Sequence, residues 1–154
     1  MKNIALASQF GSLLVIATFC GVMLCIYTSH LPFWKQVAPD DFLHWFSTYS
    51  GGISDATGPL GILSLILPVV TLAVTWSNSN SRIYWLLASL LMVGVIAITM
   101  IFFVKANTSF MNKTISVEAI PETLVTWGRL HFIRITMTSL AAILAVIGIL
   151  KYQS

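Results

Sequence analysis

Charge is what this chain of 154 residues most lacks: Asp, Glu, Lys and Arg together make up 8% of it, against about 25% in soluble domains. Apolar residues reach 57%, above the usual range of roughly 45–50%. So few ionised side chains cannot cover the surface of a soluble globule. Intrinsic disorder, coiled coil and collagen fail on the same arithmetic.

Other absences narrow the chemistry. The basic residues Lys2, Lys35, Arg82, Lys105, Lys113, Arg129, Arg134 and Lys151 are scattered singly. The net charge of +3 therefore forms no phosphate-binding stripe, and no nucleic-acid partner is expected. The two cysteines, Cys20 and Cys25, would lie about 8.6 Å apart on one helix, beyond disulfide reach, and no C-x-x-C is present. Gly-rich phosphate loops and serine-nucleophile elbows are missing too. No carboxylate interrupts a long apolar run, which argues against an ion-coupled permease. His30, His44 and His131 lack compact ligand spacing, so a metal site would require three distant histidines to meet; none is expected.

What the chain has is uncharged length. The intervals 3–34, 56–81, 83–104 and 135–150 carry no Asp, Glu, Lys or Arg. A crossing needs about 20 helical residues, so the first three intervals span alone. The fourth must reach back to His131, which carries His131 and Arg134 to or inside the membrane boundary. The expectation is one all-α domain over 1–154: an integral membrane four-helix bundle, with helices at about 5–27, 60–76, 83–104 and 124–150. The apolar run after Lys2 is too long for a signal core and lacks a small-residue cleavage site, so it reads as the first permanent helix. Gly11 and Gly21 are its expected points of close helix contact.

Between the first two spans, Pro39-Asp40-Asp41 looks like a helix start. Phe42, Trp45, Phe46 and Tyr49 then share one helical face. An amphipathic interfacial helix over about 40–50, ending near Gly51-Gly52, is predicted. Polar connections are expected at 77–81 and 105–122. Lys2, Arg82 and Lys151 are packed into short tails and one short turn, which predicts cytoplasmic termini in a bacterial inner membrane.

The fourth helix concentrates the chemistry. Trp127, His131, Arg134 and Thr138 fall within about 60° of arc at 3.6 residues per turn. Ala141 and Ala145 continue that face, as suits a helix interface. Arg129 points the other way, where it can snorkel to headgroups. The plain alternative puts Trp127 in the aromatic belt and His131 and Arg134 among headgroups; the depth of Arg134 argues for a face turned to a cavity or ligand. Asn107 and Asn112 each open an N-x-[ST] glycosylation pattern, or else cap the third helix and face the same pocket as His131.

The run 99–138 contains Phe103-Val104-Lys105-Ala106-Asn107 and, later, Trp127-Gly128-Arg129-Leu130-His131-Phe132-Ile133-Arg134. It resembles the anthrone oxygenase family of small membrane proteins, in which an Asn follows the third span and W-x-x-x-H-x-x-R opens the fourth. Lys105 stands where that family often has Pro, and His30-Leu31-Pro32 is similar to its first connection. The resemblance implies a four-helix membrane bundle and oxidation of anthrones to anthraquinones by O₂ with no cofactor. On that basis His131 would remove a proton from an acidic carbon or phenol, and Arg134 would stabilise the anion. Trp127 and Phe42, Trp45 or Phe46 would supply flat apolar walls, with Asn107, Asn112 and Thr138 completing the substrate site. The partner is then a small apolar aromatic molecule or lipid. The rival is a non-catalytic membrane module that binds a lipid, quinone or partner helix. A pocket open sideways to acyl chains favours the rival; one closed by 42–49 favours catalysis.

Overall fold

The computed structural model describes residues 2–153. Four helices follow one another: α1 (Asn3–Gln36), α2 (Pro39–Val74), α3 (Ser79–Met111) and α4 (Val117–Gln153), each long and apolar enough to cross a membrane. The protein is a multi-pass, all-α membrane bundle. In the main contacts α1 and α3 each pack against both α2 and α4, so the helices form a square with α1 and α3 on one diagonal.

Every helix is longer than its apolar interval. At 1.5 Å per residue they run about 50 Å, whereas the hydrocarbon core is about 30 Å thick. The excess lies at one end, as α2 makes plain. Its second half turns Ile62, Ile66, Val69, Val70 and Val74 outward, while its first half exposes His44, Thr48, Ser54 and Asp55. The bundle thus has a longer, more polar end, here called the head.

That head replaces the expected interfacial helix. Residues 40–50 are helical but form no separate element; they open α2, which runs unbroken through Gly51-Gly52 and Gly58-Pro59. Pro39 at the first turn, with Asp40 and Asp41 after it, sets the start. Two glycines cost a helix about 1 kcal/mol each relative to Ala, yet burial overrides them. Phe42, Phe46, Ser50, Ile53, Thr57, Gly61, Ser64, Pro68 and Thr71 are buried or half-buried at steps of three and four. One packing stripe passes through the glycines, and tertiary contact along it holds the helix.

The head is packed with rings. Trp34 meets Phe42, Phe46 and Trp127 edge to face at 5.9, 5.5 and 5.3 Å between centroids. Phe110 closes on Phe42 at 5.0 Å and on Phe46 at 5.3 Å. Such pairs contribute about 0.5–1.5 kcal/mol each beyond area burial. The connection expected at 105–122 is correspondingly shorter, because α3 stays helical through Met111. At the other end, helix α3 begins at Ser79, not Ile83, and the Asn78 side chain caps it by accepting from the Ser81 N–H at 3.0 Å.

Two wide, π-helical turns interrupt the regular helices, at Ile26–His30 in α1 and Thr99–Phe103 in α3. The first directly precedes Leu31-Pro32; widening there accommodates a proline that has no N–H and crowds the preceding turn.

Close helix approach comes from glycines other than those expected. A Cβ at Gly11 or Gly21 would meet nothing within 4 Å. At Gly148 it would lie 2.9 Å from the Trp85 indole nitrogen and 3.2 Å from a ring carbon, and Trp85 is fully buried with Ala145 and Ile149. Gly148→Ala is expected to destabilise by about 1–3 kcal/mol through overpacking against a rigid ring. Gly94→Ala meets only the mobile end of Met137 and should cost less. Thermal unfolding in detergent separates the two, and equal midpoints would refute the close α3–α4 approach.

Candidate functional site

The site lies at the base of the head, where α4 carries Trp127, His131 and Arg134 inward; all three are buried. His131 is 2% exposed and Arg134 8%. The helical phase expected for these residues holds, and Ala141 and Ala145 continue the buried face while Arg129 is exposed.

His131 is fixed on every side. Its Nε2 lies 2.9 Å from the Met23 carbonyl oxygen. A carbonyl only accepts, so Nε2 carries the hydrogen and the neutral ring has its lone pair on Nδ1. That Nδ1 is buried with no hydrogen-bond partner. Trp127, one turn earlier, stacks on the imidazole at 4.5 Å and 21°, and Tyr27 covers it at 6.3 Å and 16°. The Trp127 Nε1–H donates to Asn107 Oδ1 at 3.0 Å, which locks the stack to α3. The arrangement holds an oriented base with one free lone pair.

Arg134 presents the complementary charge. Its guanidinium carbon sits 4.3 Å from the centre of the Phe103 ring, a cation–π contact that partly replaces lost water. Its Nε has no partner, and among the described residues no acid pairs with it. The wide turn Thr99–Phe103 sets Phe103 under the guanidinium, and π-helical turns recur at functional sites for such re-aiming.

These groups line a cavity of about 100 Å³. From α1 come Met23, Ile26 and Trp34; from α2 Phe46, Ser50, Ile53, Ser54 and Thr57; from α3 Thr99, Phe103 and Asn107; from α4 Trp127, His131 and Arg134. Four of its residues each carry a buried polar atom without a hydrogen-bond partner: Trp34 Nε1, Ser50 Oγ, His131 Nδ1 and Arg134 Nε. Unsatisfied buried polar atoms are costly, about 1–3 kcal/mol each. Four such residues around one cavity suit a site whose partner is a ligand or water.

Not all expected residues meet here. Trp127, His131, Arg134, Asn107 and Phe46 line the cavity. Trp45 lies off the wall, in tilted ring contacts with Trp34, His30 and Tyr49, because the α2 stripe turns Phe42 and Phe46 inward instead. Thr138 is buried, but its hydroxyl donates back to the Arg134 carbonyl at 2.8 Å; the cavity ends one turn above it. Asn112 is exposed at the end of α3, so it reaches no site, whereas Asn107 faces inward and suits no glycan. Among the described residues no three His, Cys, Asp or Glu side chains group as a metal site. Trp34, Tyr27, Phe103 and the Met23 carbonyl went unforeseen. Pro32, just after the first wide turn, and the aromatic pair Phe102-Phe103, which ends the second, were the available signals.

Fold and site together define a class: a small multi-pass helical bundle with a buried, oriented histidine–arginine pair facing an aromatic-walled cavity. Residues 45–144 match the anthrone oxygenase family. The chain belongs to that family. It matches no curated protein and no solved structure.

Proposed function

We propose that the cavity binds an apolar aromatic ketone or phenol and that His131 and Arg134 promote its oxidation by O₂. The observation that carries this is the set of four unpartnered polar atoms around one cavity. Trp34 Nε1–H and Arg134 Nε–H call for an acceptor oxygen, and His131 Nδ1 calls for an acidic hydrogen. One enolisable or phenolic ligand satisfies both. His131 takes a proton from the activated methylene, and the anion's charge rests against Arg134, where low dielectric magnifies the attraction. The electron-rich carbon adds O₂ to give a hydroperoxide. Loss of water then leaves a carbonyl, so that anthrone and O₂ become anthraquinone and water. The family's name supports this substrate class, and no metal enters the scheme. The test is oxidation of 1,8-dihydroxyanthrone in air by the purified protein. Anthraquinone should form well above the protein-free rate; a rate equal to that background would overturn the enzymatic reading.

A second reading has its own observation. A groove between α2 and α3 opens beside Arg134, as a lipid- or quinone-binding module would require. In that case binding persists without product.

We further propose a bacterial inner membrane location with cytoplasmic termini, so that the head faces outward. The support is the basic density at the tails and short turn. In a single-cysteine background, Ser79→Cys should resist a membrane-impermeant maleimide in intact cells and react after lysis. Labelling from outside would reverse the topology.

A further inference from the structure

A cavity of about 100 Å³ falls below the roughly 300–1,000 Å³ of pockets that take drug-sized ligands. A ligand of three fused rings cannot lie wholly within it. A second cavity, of about 260 Å³, lies between α2 and α3 and shares Thr57, Thr99 and Arg134 with the first. The rest of its wall is Phe19, Gly58, Gly61, Ile62, Ile96 and Met100, apolar or without a side chain. Met100 and Ile62 are 63% and 59% exposed and belong to the outward apolar belt, so this groove opens toward acyl chains.

Two glycines line it and leave room for larger side chains. A Cβ at Gly58 would meet no atom within 4 Å, and one at Gly61 would only touch Phe19 at 3.5 Å and Ile96 at 3.9 Å. At the junction of the two spaces stands Arg134, nine-tenths buried, its Nε without a partner. An unpaired cation at the inner end of an apolar groove selects a ligand with the opposite polarity pattern.

We propose that this groove seats the ligand's apolar rings and admits the ligand from the bilayer, its oxygen-bearing end passing Arg134 to reach His131. The proposal rests on the roles given above to those two residues and adds the seat of the rings and the route by which they enter. The ligand is a membrane-dissolved amphiphile with a phenolic or enolate end and an apolar body too large for the inner cavity. Its acidic end is drawn to Arg134, while its rings exchange acyl chains for Phe19, Ile62, Ile96 and Met100.

The test compares two probes on the intact protein in lipid nanodiscs under argon: 1,8-dihydroxyanthrone, with three rings, and p-nitrophenol, with one. The wild type should bind both. Gly61→Leu fills the groove from its inner wall and Gly58→Phe from its rim. Each should weaken the three-ring probe at least tenfold and leave p-nitrophenol within twofold. Gly61→Ala adds only ordinary contact and should keep both. Wild-type thermal midpoints certify folding, and either bulky variant suffices if the other fails to fold. Retention of the three-ring probe within twofold in the folded bulky variants would overturn the proposal. So would wild-type binding of p-nitrophenol alone, which leaves the His131–Arg134 reading standing. If Arg134→Met binds both probes as the wild type does, that reading fails and the groove proposal falls with it.

Discussion

Replacing Arg134 by Met is expected to make the ligand-free protein more stable while removing its ligand binding. The two effects have one cause. Arg134 is 8% exposed, its Nε has no partner, and its visible compensation is the face of Phe103 at 4.3 Å. A buried charge without a counter-ion costs several kcal/mol, and Met fills similar volume without it. The expected gain is about 1–3 kcal/mol, the size seen when buried charges give way to apolar side chains. A charged hydrogen bond to a ligand is worth about 1.5–3 kcal/mol, so binding of a phenolic probe should fall by roughly tenfold to a hundredfold. Stability and function then move in opposite directions, as they do where a site is kept strained for its ligand.

Arg134→Lys separates charge from shape. Lysine keeps the positive charge but presents one compact ammonium in place of a planar five-donor fork, and it loses the flat stack on Phe103. It should recover little of the binding. Arg129→Lys, on the exposed side of the same helix, should change stability by less than about 0.5 kcal/mol. Thermal unfolding in detergent and titration with 1,8-dihydroxyanthrone read all three variants. If Arg134→Met destabilises the free protein, the guanidinium is a structural strut and the ligand-facing role assigned to it is wrong.

How much of this was legible depended on whether a signal was local. The four apolar intervals and the α4 face were local, because helical phase alone brings Trp127, His131 and Arg134 to one side. Phe46 could be nominated by phase as well, whereas Asn107 was marked by its place after the third apolar run and by the family resemblance. The head was harder. Gly51-Gly52 and Gly58-Pro59 look like stops, and only the buried stripe from Phe42 to Thr71, which needs its partner helices to be recognised, shows why α2 ignores them. Trp45 shares a face with Phe42 and Phe46 by sequence spacing, yet the buried side of α2 centres on Phe42, Leu43 and Phe46 and leaves Trp45 half-exposed at its edge. Asn112 was lost to the extra turns of α3. The wide turns at Ile26–His30 and Thr99–Phe103 have no period of their own in the sequence, and they place Tyr27 and Phe103 against His131. The Met23 carbonyl that sets the imidazole tautomer could not have been read at all, because a backbone acceptor 108 residues away leaves no mark on residue type.

That carbonyl makes His131→Gln the most informative single change. A glutamine amide nitrogen falls close to the position of the imidazole Nε2, so it can donate to the Met23 oxygen as His131 does at 2.9 Å. The helix contact is preserved, and so is a polar group beneath Trp127. What disappears is the lone pair on Nδ1, since an amide has no basic nitrogen at neutral pH. Folding should survive, and 1,8-dihydroxyanthrone should bind within about threefold of wild type if Arg134 and Trp34 provide most of the contact. Anthraquinone formation should fall by about 10²–10⁴, the usual contribution of a positioned general base. His131→Phe is the complement: it keeps a ring for Trp127 and Tyr27 to cover but leaves the Met23 oxygen without its donor, so it should lose both stability and turnover. Turnover by His131→Gln at the wild-type rate would remove the base from the mechanism. Equal loss of binding and stability in both variants would make His131 a structural link between α1 and α4. Only retained binding with lost oxidation assigns it the proton.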